Sequence, residues 1–406
     1  MSVNVQPDID FIRDMKEAGG DTLKKCFQCA TCSVVCPLSS DEDPFPRRQM
    51  VFAQWGLKDK LLGDPNVLLC HQCGDCTAYC PRGAKPGDVM GAIRACAYKE
   101  YGWPSWLAKL ASKGQNLPIL VGIPAIIIFI MLMISGLHVP APDDFAHVGY
   151  GHFFGHWDWK ILPKTTFFID LFMLPVGALS VFAAFKGVTG MWKKMAENAG
   201  VGKALYSPSA LQFVKEFFWP SVVEIIRHDR FKKCETNKDR VRGHQPLMWA
   251  FIALLFVTSY SFFAQDILGQ FEYFKWLHGP MSWWNPVKIV ANIGALALIT
   301  GAAILWGNRR RMEAKGQAST TFYDWFLLWM IMAVGVTGLG AEVFRWIGIP
   351  SIGYLVYYLH LVSVMMLFLY MPYTKFAHLV YRTFAMAFER YRESAYVKSP
   401  LNVGDK

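Results

Sequence analysis

Eight of the ten cysteines fall into two copies of one pattern. The first copy is Cys26, Cys29, Cys32 and Cys36 followed by Pro37, and the second is Cys70, Cys73, Cys76 and Cys80 followed by Pro81. Each reads C-x2-C-x2-C-x3-C-P, the run that binds a [4Fe–4S] cubane. Three closely spaced thiolates cap three irons of one cube while the loop wraps it. The fourth cysteine, turned away by its proline, serves the other cube. The pattern assigns Cys26, Cys29, Cys32 and Cys80 to one cluster, and Cys70, Cys73, Cys76 and Cys36 to the second. Zinc is the plainer alternative, but it takes four ligands as two pairs, and two identical four-cysteine runs overshoot that demand. Cys96 and Cys234 lie outside the runs and read as small buried residues. The spacing is no disulfide framework, and it sets the N-terminal region in a reducing cytoplasm.

Histidines form the second set. His360 and His378 stand 18 residues apart in the apolar stretch 354–379. In one unbroken helix that is five turns, so both imidazoles leave one face about 27 Å apart, close to the thickness of a bilayer's hydrocarbon core. Such a helix suits two haems stacked across a membrane. The alternative is a pair of helix-end histidines at headgroup level.

The elements that position these groups follow from composition. The 406 residues are 53% hydrophobic and 15% aromatic, with mean hydropathy +0.23, too apolar for an ordinary soluble protein. Six spans are expected, at 117–137, 166–186, 247–266, 288–306, 322–344 and 354–374. The net charge of +10 would elsewhere suggest nucleic acid. Here the basic residues cluster between apolar segments, so a lipid bilayer and no nucleic acid is the expected partner. Segments 187–246, 307–321 and 375–406 hold 11, 4 and 6 Lys plus Arg, against 2, 1 and 1 in 138–165, 267–287 and 345–353. By the positive-inside rule both termini and the cysteine runs are cytoplasmic, in an inner-membrane multi-pass protein. Residues 1–21 are polar and carry no signal peptide.

The fold class is therefore all-α: an N-terminal helical ferredoxin with two [4Fe–4S] clusters, followed by a six-helix transmembrane cytochrome b bundle. The expected divisions are 1–110 for the ferredoxin, 111–187 for the first two spans with a His-rich outer loop, and 188–246 for a basic cytoplasmic segment. Residues 247–380 then form the haem-binding spans and 381–406 a cytoplasmic tail. Within the ferredoxin, Pro46–Leu62 and Asp88–Tyr101 read as helices. Ser207–Lys233 reads as an amphipathic helix on the inner surface, with a charged solvated loop as the alternative.

Topology sorts the histidines. His244 opens the third span on the side of His378, and two imidazoles at one depth are what a six-coordinate b-type haem requires. His228 competes on the same side, but its place in the surface segment makes it a surface or quinone-pocket residue. His360, at the outer end, needs a partner among His138, His147, His152, His156 and His278, with His278 ranked first and His138 next. His71, between two cluster cysteines, reads as a hydrogen-bond donor to a cluster. Lys288, opening the fourth span outside, can bond a quinone carbonyl or simply snorkel.

These residues resemble known families. The cysteine repeats resemble the small, C-type component of heterodisulfide reductase. Residues 240–380 resemble the dihaem cytochrome b component of respiratory nitrate reductase, through Tyr358-Leu359-His360-Leu361 and the run Pro372 to His378. Lys288 falls where that cytochrome has a lysine implicated in quinol binding. The fusion is similar to the C-type components of the quinone-interacting membrane-bound oxidoreductase complexes of sulfate reducers. One position departs: ten residues after His244, where the nitrate reductase cytochrome has a second histidine, stands Leu254. The resemblance implies an inner haem on His244 and His378, and an outer one on the His360 side only, hence one or two b haems. It also implies heterodisulfide reductase A-like flavoprotein partners, menaquinone, and electron delivery to adenylyl-sulfate reductase. No nucleophile or acid–base constellation and no Gly-rich nucleotide fingerprint follows a strand, so the chain reads as the electron-transfer subunit of a quinone-dependent oxidoreductase complex. Two alternatives stand beside this: a haem subunit of a heterodisulfide or sulfite-pathway reductase, and a haem-free membrane anchor.

Overall fold

The computed structural model describes residues 6–136, 140–142, 144–145, 149–150, 153–154, 165–201, 207–268, 271, 273–274, 281–319 and 321–398. Among these residues every regular element is a helix, as the sequence predicts. The N-terminal unit holds α1 (Ile9–Met15), α2 (Thr31–Val34), α3 (Arg47–Gln54), α4 (Lys58–Leu62), α5 (Pro65–Leu69), α6 (Asp75–Ala78), α7 (Pro86–Tyr101) and α8 (Ser105–Ala111). Its axis is α7, buried along most of its length. Pro86 opens α7 two residues before the expected start, because its fixed φ suits the first helical turn.

The expected single helix over 46–62 is two helices. Gly56 separates them at φ +66, and its carbonyl accepts the Asp8 N–H at 3.0 Å. A Cβ there would lie 3.1 Å from the Asp8 backbone, so only glycine admits both the conformation and the approach.

Among the described residues six helices are long and apolar enough to cross a membrane: Gly114–Ser135, Ile169–Asn198, Arg240–Ala264, Pro286–Ala314, Phe322–Ile347 and Pro350–Tyr373. They make this a multi-pass membrane protein. Their cores are α9 (Leu117–Ser135), α10 (Thr165–Asn198), then, after α11 (Ala210–Phe213) and α12 (Trp219–Arg227), α13 (Arg240–Ser261), α14 (Pro286–Ala314), α15 (Phe322–Ile347) and α16 (Pro350–Tyr370). Helices α10, α13 and α14 run past their expected ends on the ferredoxin side. The 34 residues of α10 make a rod of about 51 Å, well beyond a hydrocarbon core of about 30 Å. Its surplus docks the ferredoxin, with Lys194 pairing Asp59 at 3.1 Å and Asn198 donating to the Asp59 carbonyl at 2.9 Å.

The last helix, α17 (His378–Lys398), completes that docking. Tyr381, Ala385, Met386 and Phe388 of α17 and Met191 and Met195 of α10 belong to one buried core with Met90, Ile93 and Tyr98 of α7. Two-cluster domain and membrane bundle therefore share a core and do not swing on a linker.

The stretch carrying His360 and His378 is not one helix. α16 stops at Tyr370, a 3-10 turn covers Met371–Tyr373, and Thr374 is extended at ψ −178. Pro372 lacks an N–H to continue the ladder, and His378 starts α17 afresh. The five-turn relation therefore fails: the two imidazoles belong to different helices.

The segment expected as one amphipathic helix is α11 and α12 joined by a π turn over Val214–Phe218. A capping box between Ser209 and Gln212 opens it. It ends at His228, which takes the left-handed conformation at φ 55, five residues short of the expected end. Leu211, Val214 and Trp219 are exposed apolar residues of this segment.

Candidate electron-transfer site

The two cysteine runs have the same backbone. Gln28 and Ala30 in the first, and Gln72 and Gly74 in the second, occupy equivalent positions and all have φ between 51 and 93. Left-handed residues alternating with ordinary ones turn successive N–H groups inward, the nest that receives an anionic group. The Gln72 N–H reaches Cys70 Sγ and the Ala84 N–H reaches Cys80 Sγ, both at 3.4 Å. Cys36, Cys70, Cys73 and Cys76 line one small cavity. Cys26 and Cys32 lie beside Cys29 and Cys80. The fold thus brings Cys80 beside Cys26, Cys29 and Cys32, and Cys36 beside Cys70, Cys73 and Cys76. Burial pushes the Cys32 and Cys36 thiols up to about 11 and about 12, whereas Cys29 is exposed.

The segment entering the second run is held by arginines. Arg94 donates to the carbonyls of Val67 (3.3 Å) and Cys70 (2.6 Å) and to Gln72 Oε1 (3.0 Å). Arg382 of α17 donates to the Leu68 and Leu69 carbonyls at 3.3 Å and to that of Cys70. Arg240 of α13 donates to the His71 carbonyl at 2.6 Å. These positive charges face a motif whose cysteines would be anionic as cluster ligands.

Beside it lies a cavity of about 230 Å³, walled by Cys70 and His71 on the ferredoxin side and by His244 and His378 on the membrane side. The His244 and His378 ring centroids are 6.1 Å apart and inclined at 69°. Two imidazoles bound to one metal from opposite sides have centroids about 6 Å apart, given metal–nitrogen bonds of about 2.0 Å.

Their hydrogen bonds fix the tautomers. His378 Nδ1–H donates to the Lys375 carbonyl at 2.6 Å, leaving its Nε2 lone pair free. His228 Nδ1 lies 3.1 Å from the Ile226 carbonyl, which only accepts, so a neutral His228 carries its proton there. Its Nε2 is then the acceptor for His244 Nδ1–H, 2.9 Å away, and the His244 Nε2 lone pair is free as well. An outer imidazole orienting an inner one is the usual support of a metal ligand. His228 is 3% exposed and lines the cavity, so of the two expected places, surface or pocket, the surface one fails. His228 is the acceptor behind His244.

The cavity has a polar end and an apolar end. Arg94, Arg240, Arg382 and Lys375 approach it from the ferredoxin side, and Leu247, Leu305, Leu327 and Ile331 line it from the spans. Arg382 donates to His71 Nδ1 at 3.0 Å, which puts the His71 proton on Nε2. That Nε2 is buried and has no partner among the described residues. Burial first, then Arg382 and Arg240, keep the His71 imidazole far below its usual range and neutral. Burial also pushes the Lys375 ammonium down to about 8, against the pull of Asp324, with which it forms an ion pair. Phe231 bridges the two sides, with ring centroids 4.5 Å from His71 and 5.2 Å from His244.

At the other end of the bundle, His360 packs on α15. A Cβ on Gly338 would lie 3.0 Å from its ring, and its Nδ1 is 3.2 Å from Thr337 Oγ1. One turn further, Glu342 pairs with Lys288 at 2.7 Å and accepts from Asn292 at 3.3 Å. Lys288 is therefore an ion-pair partner in a span and not a solitary interfacial lysine. Its carboxylate partner carries no signal in the sequence. His278, His138, His147, His152 and His156 lie outside the described residues.

Residues 22–84 match the 4Fe-4S dicluster domain family. The chain carries a 4Fe-4S dicluster domain. Residues 222–397 match the citrate utilization protein B family, and citrate utilization protein B of Escherichia coli is 25% identical over 311 residues, 72% of this chain and 72% of that protein. The C-type component of the H(2):CoB-CoM heterodisulfide,ferredoxin reductase of Methanothermobacter marburgensis is 42% identical over 93 residues, 23% of this chain and 50% of that protein. A protein of Archaeoglobus profundus that resembles the same heterodisulfide reductase component is 38% identical over 88 residues, 21% of this chain and 47% of that protein. The chain thus spans about half the length of these heterodisulfide reductase relatives. No solved structure matches it. The N-terminal part is an iron–sulfur electron-transfer domain related to the C-type component of heterodisulfide reductase, joined to a citrate utilization protein B-like membrane domain.

Proposed function

We propose that this chain is the membrane electron-transfer subunit that connects a menaquinone pool, through b-type haem, to two [4Fe–4S] clusters and on to soluble flavoproteins. Bound there, haem and cubanes supply one-electron centres whose potentials follow ligand, burial and hydrogen bonding. The observation that carries the haem reading is the His244–His378 pair: two free Nε2 lone pairs, centroids 6.1 Å apart, in a cavity apolar at one end and cationic at the other. That cavity suits an amphiphilic macrocycle, with the Leu247, Leu327 and Ile331 end against its apolar body. Arg240, Arg382 and the unpartnered His71 Nε2–H suit its carboxylates. His228 holds the tautomer of His244, and the Lys375 carbonyl holds that of His378.

Cys26, Cys29, Cys32 and Cys80 would hold the first cube, and Cys70, Cys73, Cys76 and Cys36 the second. The first site, with Cys29 exposed, is the exit toward a soluble partner. The second, which shares Cys70 and His71 with the wall of the histidine cavity, is the entry from the membrane. The basic loops favour a cytoplasmic face for this unit at the inner membrane. At the outer end, Lys288 and Glu342 offer a cation and a proton acceptor to a quinol one turn from His360. An outer haem would take His360 and, from residues outside those described, His278.

The expected partners are heterodisulfide reductase A-like flavoproteins, with adenylyl-sulfate reductase downstream in sulfate reduction. The relation to citrate utilization protein B favours a second reading, in which the soluble partner handles a carboxylate instead of a sulfur compound. A menaquinol analogue added to the purified chain tests the quinone link. The haem α-band should rise within the mixing experiment and rise more slowly in Lys288→Leu. An α-band that only dithionite raises would sink it.

A further inference from the structure

Cys234 belongs to neither cysteine run. It comes from the stretch between the second and third spans, and it is 4% exposed. Its Sγ, the Sγ of Cys73 and a carboxylate oxygen of Asp75 lie within 4.8 Å of one another, so the two sulfurs are neighbours at the cluster motif. The small cavity lined by the second quartet is lined by Cys234 too. This is not loose packing. Asp75 accepts the backbone N–H groups of Glu235 at 3.1 Å and Thr236 at 2.7 Å, which pins the two residues after Cys234 to the cluster motif. Next to them, Arg240 clamps the His71 carbonyl at 2.6 Å.

A cubane takes four thiolates, and the quartet supplies all four, so Cys234 is a fifth thiol at a complete site. Resting on the two-cluster reading above, we propose that Cys234 is a hydrogen-bond donor to the second cluster, its S–H donating to the Cys73 thiolate. Reduction adds one electron to the cube and its thiolates, so a donor on a ligand sulfur is worth more in the reduced state and raises the potential. A thiol is a weak donor, so the effect is modest. No bond forms or breaks and no co-reactant is needed. The donor comes from the membrane half of the chain, so the second cluster is tuned by the segment that leads into His244 and the first is not.

The test is potentiometric EPR on the full chain in detergent, comparing wild type, Cys234→Ala and Cys234→Ser, with iron content measured on the same samples. All three should hold about eight non-haem irons, two cubes per chain, besides any haem iron. At a fixed potential, Cys234→Ala should lower the reduced-to-oxidised ratio of the second cluster severalfold. The upper bound is about tenfold, 59 mV for a one-electron couple. The hydroxyl of Cys234→Ser should retain most of the wild-type ratio, and the first cluster should not move in either variant. Eight irons with an unmoved second cluster in Cys234→Ala overturns the proposal alone. Loss of about half the iron overturns it too, by making Cys234 a ligand. A wild-type chain with too little iron for two cubes defeats the two-cluster reading first, and the proposal with it.

Discussion

The histidine relay makes a prediction that ordinary packing does not. His228 adopts φ 55 and is buried, with Nε2 2.9 Å from His244 Nδ1. Asparagine accepts the left-handed conformation and can place its oxygen near the His228 Nδ1 position, but it falls short of Nε2. Glutamine reaches the Nε2 position and can accept from His244. Removing a partner of this kind from a metal ligand typically weakens metal affinity about 10–100-fold, or roughly 1.4–2.7 kcal/mol. His228→Asn should therefore lose haem to an excess of apo-scavenger about 10–100-fold more completely at equilibrium than wild type, while His228→Gln stays within a few fold. The assay is haem partition read by the Soret band, with helix content by circular dichroism as the folding control. Equal partition in His228→Asn and wild type would refute the relay. Equal loss in Asn and Gln variants would also refute it, since only a bulk effect would then remain.

Other consequences follow from particular contacts. Gly243 and Gly301 bring α13 against α14, and a Cβ on Gly301 would sit 2.8 Å from the Gly243 carbonyl oxygen. Gly301→Val should destabilise the bundle by about 1–3 kcal/mol in thermal unfolding and weaken haem retention by displacing His244. Lys288→Leu removes the ion-pair partner of Glu342, which keeps Asn292 and the nearby Arg345, and should lower the thermal unfolding midpoint, whereas Lys288→Leu with Glu342→Leu should return closer to wild type; equal losses in both would contradict the pair. Lys375, held at about 8 by burial, binds its proton less tightly folded than unfolded. Its penalty is full below pH 8 and is relieved as pH rises toward the ordinary 10.5, so stability rises over that window. The unfolding midpoint of Lys375→Met relative to wild type should therefore fall between about pH 8 and about pH 10, and a constant difference would contradict the burial argument.

Much of this was legible in local sequence. Three thiols of each cysteine run lie within one loop's reach, which is why the spacing points to cubes, and the six apolar runs are long enough to span. That His244 and His378 come close together was legible once loop charge had sorted the depths. What was missed depended on tertiary packing. The break at Pro372 was visible as a proline, but the helical spacing of His360 and His378 was compelling only if that proline were ignored. His228 looked exposed because its neighbours Arg227, Asp229 and Arg230 are polar. Yet Arg230 turns to Glu224 and Glu389 at 2.6 Å, which lets the imidazole go inward. Cys234 and Glu342 carried no motif at all, and only the fold brings them to Cys73 and Lys288. The relation of the membrane half to citrate utilization protein B likewise rests on residues spread over several helices, not on a short motif.

The central claim is that His244 and His378 hold a b-type haem beside the second cluster. A reduced-minus-oxidised visible spectrum with low-temperature EPR on the purified chain, repeated on His244→Ala and His378→Ala, tests it most directly. The account predicts a b-type α-band and a low-spin bis-imidazole signal in wild type, both lost in either variant while the iron of the two cubes remains. A wild-type chain without an α-band, or a bis-imidazole signal that survives in both variants, would contradict it.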